Sequence, residues 1–235
     1  MELPSFPHVD MFSAGINALY GVLVASQPTH NRGYTAAGLL IMAFFGGIGG
    51  GVTRDVLLNE IPSPIKDPTY LLVCLLMGLL GLGIYRYADS MEERFRMRTL
   101  AFFKSFTLPW FAILGAHKAL EHHLGIWTAI VVGVIATTAG GVFIDLFSGV
   151  TPEIVRPSEQ LVTTAVLAST VYTLLAVQQI KSLTFFPVTL IAVLVAFLFR
   201  AFAVREHWPS IVPVPAKAEG PEIVTVPAAA AATQK

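Results

Sequence analysis

The chain has 235 residues, 54% of them hydrophobic and only 13% charged, against roughly 25% charged in a soluble domain. Mean hydropathy is +0.69 and the formal net charge is zero, so no basic footprint for nucleic acid is present. The single cysteine, Cys74, excludes a disulfide framework and a cysteine metal site within one chain.

Seven stretches reach or approach the ~20 apolar residues that a helix needs to cross the hydrocarbon core. They run over residues 10–27, 34–58, 70–87, 100–120, 125–147, 160–179 and 185–204. The first is diluted by Asn17 and several small residues. Turn signals separate the spans, among them Gln27-Pro28, Pro62-Ser63-Pro64 and Thr151-Pro152. Ahead of the first span, Glu2, Pro4 and Pro7 stand where a secretory leader would be basic, so no cleaved leader is expected. Past Arg205, Pro209, Pro213, Pro215, Pro221 and Pro227 alternate with Ala and Val. Such a composition cannot bury a core, and residues 206–235 are expected to form a disordered Pro/Ala-rich tail.

Lysine and arginine divide unevenly between the two ends of the spans. One side collects Arg32, Arg86, Arg94, Arg96, Arg98, Lys104, Arg156, Arg200 and Arg205. The other has little beyond Arg54, Lys66 and Lys181. By the positive-inside rule the C-terminus and the loop between spans three and four are expected in the cytoplasm, and the N-terminus outside.

A motif occurs twice. Gly50-Gly51-Val52, Asp55, Pro62 and Lys66 recur as Gly140-Gly141-Val142, Asp145, Pro152 and Arg156, each 90 residues on. That offset covers three spans, an odd number, so the second copy enters the membrane upside down relative to the first. The fold class expected is therefore an all-α integral membrane protein of seven transmembrane helices. Residues 1–205 form its domain, with one inverted three-helix repeat over about 10–87, the other over about 100–179, and a seventh helix over 185–204.

Gly46, Gly47, Gly49, Gly50 and Gly51 crowd about one and a half turns of the second span. Each costs about 1 kcal/mol relative to alanine inside a helix, so the run is expected to kink or unwind. The pairs Gly46/Gly50 and Gly47/Gly51 also suit close helix packing. The second copy, Thr137-Thr138-Ala139-Gly140-Gly141, adds hydroxyls, and recurrence at the inverted position favours a solute path. No Lys-Ser/Thr follows the glycines, which excludes a nucleotide loop. Asp55 has Arg54 beside it as a local partner; Asp145 has Ile144 there, and needs water, a cation or a distant partner. Lys118, near the end of the fourth span, either snorkels to the interface or faces the path and responds to voltage. His117, Glu121, His122 and His123 read as an exposed outer loop, since their spacing fits no zinc site. No nucleophile–base pair stands out, so neither enzyme activity nor a cofactor is expected.

These residues resemble a known family, the trimeric intracellular cation (TRIC) channels, in its prokaryotic branch. The resemblance covers about residues 10–204 and rests on Gly49-Gly50-Gly51-Val52-Thr53-Arg54-Asp55-Val56-Leu57-Leu58 with Pro62 and Asp67-Pro68, on residues 115–120, and on Gly140-Gly141 with Asp145 and Pro152. It implies a homotrimer in a prokaryotic cell membrane, in contact with lipids. Each protomer would hold its own pore, kinked at Gly50, Gly51, Gly140 and Gly141, between the second and fifth helices. Asp145 would lie on the ion path and Lys118 would be linked to gating. Where relatives repeat Gly-Gly-Gly and Arg-Asp in the second copy, this chain has Ala139 and Ile144; where animal members carry Lys-Glu-Val, it has Arg54-Asp55-Val56. Phosphoinositide binding is therefore not carried over.

The function expected is a monovalent cation channel, permeable to potassium or sodium, with no resident metal. Gly47, Gly50, Gly51, Arg54, Asp55, Thr137, Thr138, Gly140, Gly141 and Asp145 are the path and kink candidates. A secondary transporter of a small zwitterion such as glycine is the alternative, because inverted repeats with broken helices serve carriers equally well. A purely structural membrane protein packed through glycines is the third, and would need neither intramembrane carboxylate.

Overall fold

A computed structural model describes residues 7–27, 30, 33–88, 93–156, 160–178, 185–206 and 208. The element order is α1 (Pro7–Ala25), α2 (Ala36–Leu57), a four-residue helix α3 (Ser63–Lys66), α4 (Thr69–Ala88), α5 (Glu93–Glu121), α6 (Ile126–Phe147), a 3₁₀ turn (Glu153–Val155), α7 (Leu161–Val177) and α8 (Phe185–Arg205). Seven long helices thus stand where seven spans were expected. The stretches His8–Ala25, Ala36–Leu57, Ile126–Phe147 and Phe186–Arg205 are long and apolar enough to cross a membrane, and Thr69–Tyr85 and Leu161–Val177 are shorter apolar helices. Most of the tail expected at 206–235 lies outside the described residues.

α5 corrects one expectation. Residues 86–104 read as a charged loop, yet α4 continues to Ala88 and α5 already begins at Glu93. Apolar length marks the part of a helix that lipid can cover, while its hydrogen bonds continue into the polar region beyond.

Two apolar clusters, each centred on one half, are rich in small residues. Ala14, Ala18, Val22, Ala43 and Cys74 bring α1, α2 and α4 together. Ala112, Ala116, Ala165, Ala168, Ala192 and Ala196 join α5, α7 and α8. Lipid tails are as apolar as these side chains, so close van der Waals approach holds such helices together, and small residues permit it. Leu72, Leu76 and Leu80 on α4, and Leu190, Leu194 and Leu198 on α8, stay exposed at helical spacing as outward apolar faces.

The two halves meet where α2 crosses α6. A Cβ on Gly46 would lie 3.3 Å from Ile144, one on Gly49 would lie 3.3 Å from Gly140, and one on Gly50 would lie 2.1 Å from the Ala136 carbonyl oxygen. Position rises along α2 as it falls along α6, so the helices are antiparallel and Asp55 and Asp145 stand at opposite ends of the bundle.

The repeat extends to the backbone of its turns. The N-cap residues Thr35 and Gly125, 90 residues apart, have φ/ψ of −70°/164° and −67°/162°. After each helix the chain reverses through a left-handed residue, Asn59 (φ 56°) in one copy and Gly149 (φ 66°) in the other. Pro62 and Pro152 then start the next short turn at −53°/136° and −54°/136°. A fixed φ near −65° and no amide hydrogen suit proline to that position.

Candidate functional site

The glycines do not unwind their helices. α2 and α6 each run unbroken for 22 residues through them. The reason is contact: besides Gly50 against Ala136, a Cβ on Gly47 would come within 2.7 Å of Cys74 Sγ, and one on Gly140 within 3.0 Å of the Phe45 oxygen. Gly51 and Gly141 differ from these. A Cβ on Gly51 would meet only Arg54 Nη2 at 3.9 Å, and one on Gly141 nothing within 4 Å. These two equivalent positions border space, and Gly141 lines the main cavity. Thr137 and Thr138 line it too, each donating its hydroxyl to a carbonyl one turn back, at 2.8 and 2.9 Å.

In both copies the aspartate closes the same turn. Asp55 Oδ2 accepts from the Ser63 amide at 2.7 Å, and Asp145 Oδ2 from the Glu153 amide at 2.8 Å, eight residues on in each case. Their carbonyls accept in parallel from Glu60 N at 2.8 Å and Val150 N at 2.9 Å. Neither motif carboxylate is a bare ion trap, because each is also the cap of its own loop.

The second carboxylate oxygen is where the copies part. Asp55 Oδ1 accepts from Arg54 Nε at 2.8 Å and Lys118 Nζ at 2.7 Å. Arg54 turns its other nitrogens onto both oxygens of Asp10, at 3.0 and 3.3 Å, and Tyr70 donates to Asp10 at 3.3 Å. Arg54 is 2% exposed and Asp55 not at all, so this is a sealed knot. Lys118 does not snorkel; it also reaches Glu60 Oε2 at 2.9 Å. Glu60, in the loop after α2, takes bonds from His122 and Lys66 as well. Burial pushes its carboxyl up, but the bonds from Lys118, His122 and Lys66 outweigh this and bring it down to about 2.

At the other end Ile144 replaces the arginine and packs over Gly21 and Gly46. Asp145 Oδ1 finds a distant partner, His30 Nε2 at 2.9 Å, from the segment after α1. The exchange mirrors Lys118: each aspartate is met from just beyond, or at, the end of the first helix of the opposite repeat. Lys104, expected in a loop, is instead a half-buried member of α5 and pairs with Glu153. His117, expected on an outer loop, is 3% exposed inside α5, with Nδ1 2.5 Å from the Tyr172 hydroxyl. His30 and Glu153 escaped the sequence reading. Glu153 takes the place of Ser63, and His30 lies near the position 90 residues before Lys118; the repeat offset alone could have pointed to both.

A cavity of about 560 Å³ opens at the Asp145 end between α1, α2, α5 and α6. Asp145, Glu153, His30, Lys104 and Thr137 line it, with Arg156 exposed near the mouth. The Asp55 end holds only about 10 Å³, below Arg54, Asp10 and Tyr70, room for about one water. Among the described residues no cluster of three or more His, Cys, Asp or Glu forms a metal site.

A family model described as glycine transporter matches residues 8–86 and 101–177, one match on each repeat. A solved TRIC trimeric intracellular cation channel orthologue from Rhodobacter sphaeroides superimposes with a TM-score of 0.73 at 28% identity, covering 85% of this chain and 96% of that one. The chain belongs to the TRIC family, in its prokaryotic branch. A further prokaryotic TRIC channel, at 20% identity, shares the fold with a TM-score of 0.72 over 85% of this chain and 95% of that one. Among curated relatives, the UPF0126 membrane protein of Vibrio cholerae is 28% identical over 85% of this chain and 79% of its own length. The Escherichia coli inner membrane protein YadS is 26% identical over 85% and 91%. The Deinococcus radiodurans UPF0126 membrane protein is 33% identical over 56% of this chain and 59% of its own length. The TRIC fold makes this an integral membrane protein, and its structural neighbours are channels, in agreement with the expectation of no enzyme.

Proposed function

We propose that this protein is a monovalent cation channel, permeable to potassium, with a path in each protomer between α2 and α6. The observation that carries the reading is the pair of inverted aspartates at the two ends of the α2–α6 crossing, with a 560 Å³ hydrated-size cavity leading to one of them. The Rhodobacter relative, a cation channel by description, adds support at 28% identity. Carboxylates in a low-dielectric cavity concentrate cations, and threonine hydroxyls and carbonyls can replace part of an ion's hydration shell. In this conformation Glu153 is held by Lys104 and Asp145 by His30, and the Asp55 end is knotted shut. On this reading the pairs part during conduction, and the arrangement described corresponds to a closed channel.

The orientation supported by the arginine and lysine distribution has the N-terminus outside and the C-terminal tail in the cytoplasm of a prokaryotic cell. Outward apolar faces on α4 and α8 suit lipid and neighbouring subunits, and the described trimeric relative favours a homotrimer. Native mass spectrometry in detergent should show trimers; monomers or dimers alone would contradict that arrangement.

A carrier of a small zwitterion such as glycine is the second reading. It is favoured by the matched family's description and by a cavity that opens at one end and presents both carboxylates and cations. Planar-bilayer recording on pure protein separates the two. Discrete unitary potassium currents are expected; saturable glycine uptake without such currents would establish the carrier.

A further inference from the structure

One aromatic ring lies between the two cavities. Phe111, in the middle of α5, lines both the large cavity at the Asp145 end and the small one beneath Arg54. Among the described residues it is the one common to the two linings. Its side chain is 5% exposed, and Cδ1 lies 3.6 Å from where a Cβ on Gly50 would stand, against the α2–α6 crossing.

The position of Phe111 along α5 gives it a second property. Lys104, Phe111 and Lys118 follow one another at intervals of seven residues. Seven residues bring a helix back to within about 20° of the same face, so the three share one stripe. At 1.5 Å per residue the two lysines are about 21 Å apart along the axis, with the ring midway. Lys104 grips Glu153 beyond α6; Lys118 grips Asp55 and Glu60 at the end of α2. α5 is thereby tied on either side of the ring to the two inverted loops, and Pro109, two residues before the ring, removes one helical hydrogen bond within the tied segment.

We infer that Phe111 is the barrier of the permeation path, held in the α2–α6 crossing by the Lys104 and Lys118 tethers, so that passage from the large cavity to the Asp55 end requires α5 to withdraw this ring. The inference rests on the solute-path reading above but not on the choice between channel and carrier. Gly50 and Phe111 line the larger cavity, and Gly51 and Phe111 the smaller, so the ring and the adjacent glycines stand where the two linings meet.

The test is thiol labelling across the barrier. Gly51→Cys suits the probe, because its side chain would meet only Arg54 Nη2 at 3.9 Å. On a Cys74→Ala background in proteoliposomes, silver ion, a thiol reagent close to potassium in size, is supplied from the Asp145 side only. With Phe111 present the cysteine should stay unmodified; with Phe111→Ala it should label many-fold faster, and Phe111→Leu should protect like the native ring. Equal labelling in the native and Phe111→Ala proteins would overturn the inference. Should Phe111→Ala not fold, Phe111→Val leaves a side chain shorter than the protecting leucine, and the same comparison applies. In bilayers Phe111→Ala should raise open probability several-fold; a folded variant that opens like the native protein counts against the barrier. Ring-dependent labelling in a protein that passes no unitary current would leave the barrier standing and remove the channel.

Discussion

The Asp55 end and the Asp145 end share one backbone and differ in everything laid over it. Both aspartates cap a loop eight residues on, both helices stop through a left-handed residue, and both loops restart at a proline with nearly the same dihedral angles. Yet one end is a buried knot of Asp10, Arg54, Asp55 and Lys118, and the other a cavity of about 560 Å³. The repeat therefore supplies the scaffold, and single substitutions in it supply the state. Arg54 against Ile144 is the clearest case: the arginine brings a charge network that closes its end, while the isoleucine fills a groove between Gly21 and Gly46 and leaves its aspartate to His30.

The largest expected effect breaks the knot. Asp55→Asn leaves Arg54 and Lys118 without their shared carboxylate in a site with no solvent access, and removing one partner of a buried ion pair costs about 3 kcal/mol. Asp145→Asn keeps an acceptor for the Glu153 amide and should cost about 1 kcal/mol. Denaturant or thermal unfolding in detergent measures both. Equal losses at the two ends would remove the distinction between sealed knot and open cavity.

Next comes the crossing. Gly50→Ala would place a methyl carbon 2.1 Å from the Ala136 oxygen, an overpacking worth about 1–3 kcal/mol. Gly141→Ala, which meets nothing within 4 Å, should leave stability within about 0.5 kcal/mol and act on transport, since it borders the cavity. A Gly141→Ala protein as unstable as Gly50→Ala would mean that both glycines serve packing alone.

How far the sequence carries this comparison depends on what sort of signal each part leaves. The seven helices and their inversion follow from apolar length and from one offset, because lipid forces long apolar runs and a duplicated motif keeps its spacing. The glycines were legible as a cluster, but the unwinding expected of them fails. The cost of glycine in a helix is set against a partner backbone that only the fold brings near. Asp145 was legible as a carboxylate without a neighbour; His30 was not legible as its partner, since 115 residues separate them and the sequence around the histidine has no apolar periodicity. Lys104 misled for a related reason: its charge reads as loop, while Glu153, from a segment 49 residues on, makes it affordable inside a helix.

Asp145→Asn sharpens the functional half of the comparison. The carboxylate stands on the cavity wall, so its neutralisation should reduce unitary cation conductance or shift selectivity with the fold preserved. Asp55→Asn should act on conduction less than on stability. Should Asp145→Asn conduct like the native protein while Asp55→Asn abolishes current, the roles of the two ends would have to be exchanged.

The smallest expected effect on stability is at Lys118, and it is the most specific. The ammonium is partly exposed and bridges Asp55 Oδ1 and Glu60 Oε2, while Asp55 keeps Arg54 and both Ser63 donors without it. Lys118→Ala should therefore cost about 1 kcal/mol or less. Its effect should appear in open probability and voltage dependence, with conductance unchanged, because the tether and not the cavity wall is lost. Glu60→Gln weakens the same tether from the other side. Glu60 reaches α5 through Lys118 and His122, so the double variant should open little more than Lys118→Ala alone. Lys66→Ala, which removes an exposed partner of Glu60 away from α5, should leave gating unchanged. Shifts in open probability from Lys118→Ala and Glu60→Gln that simply add would show two independent latches where the geometry shows one.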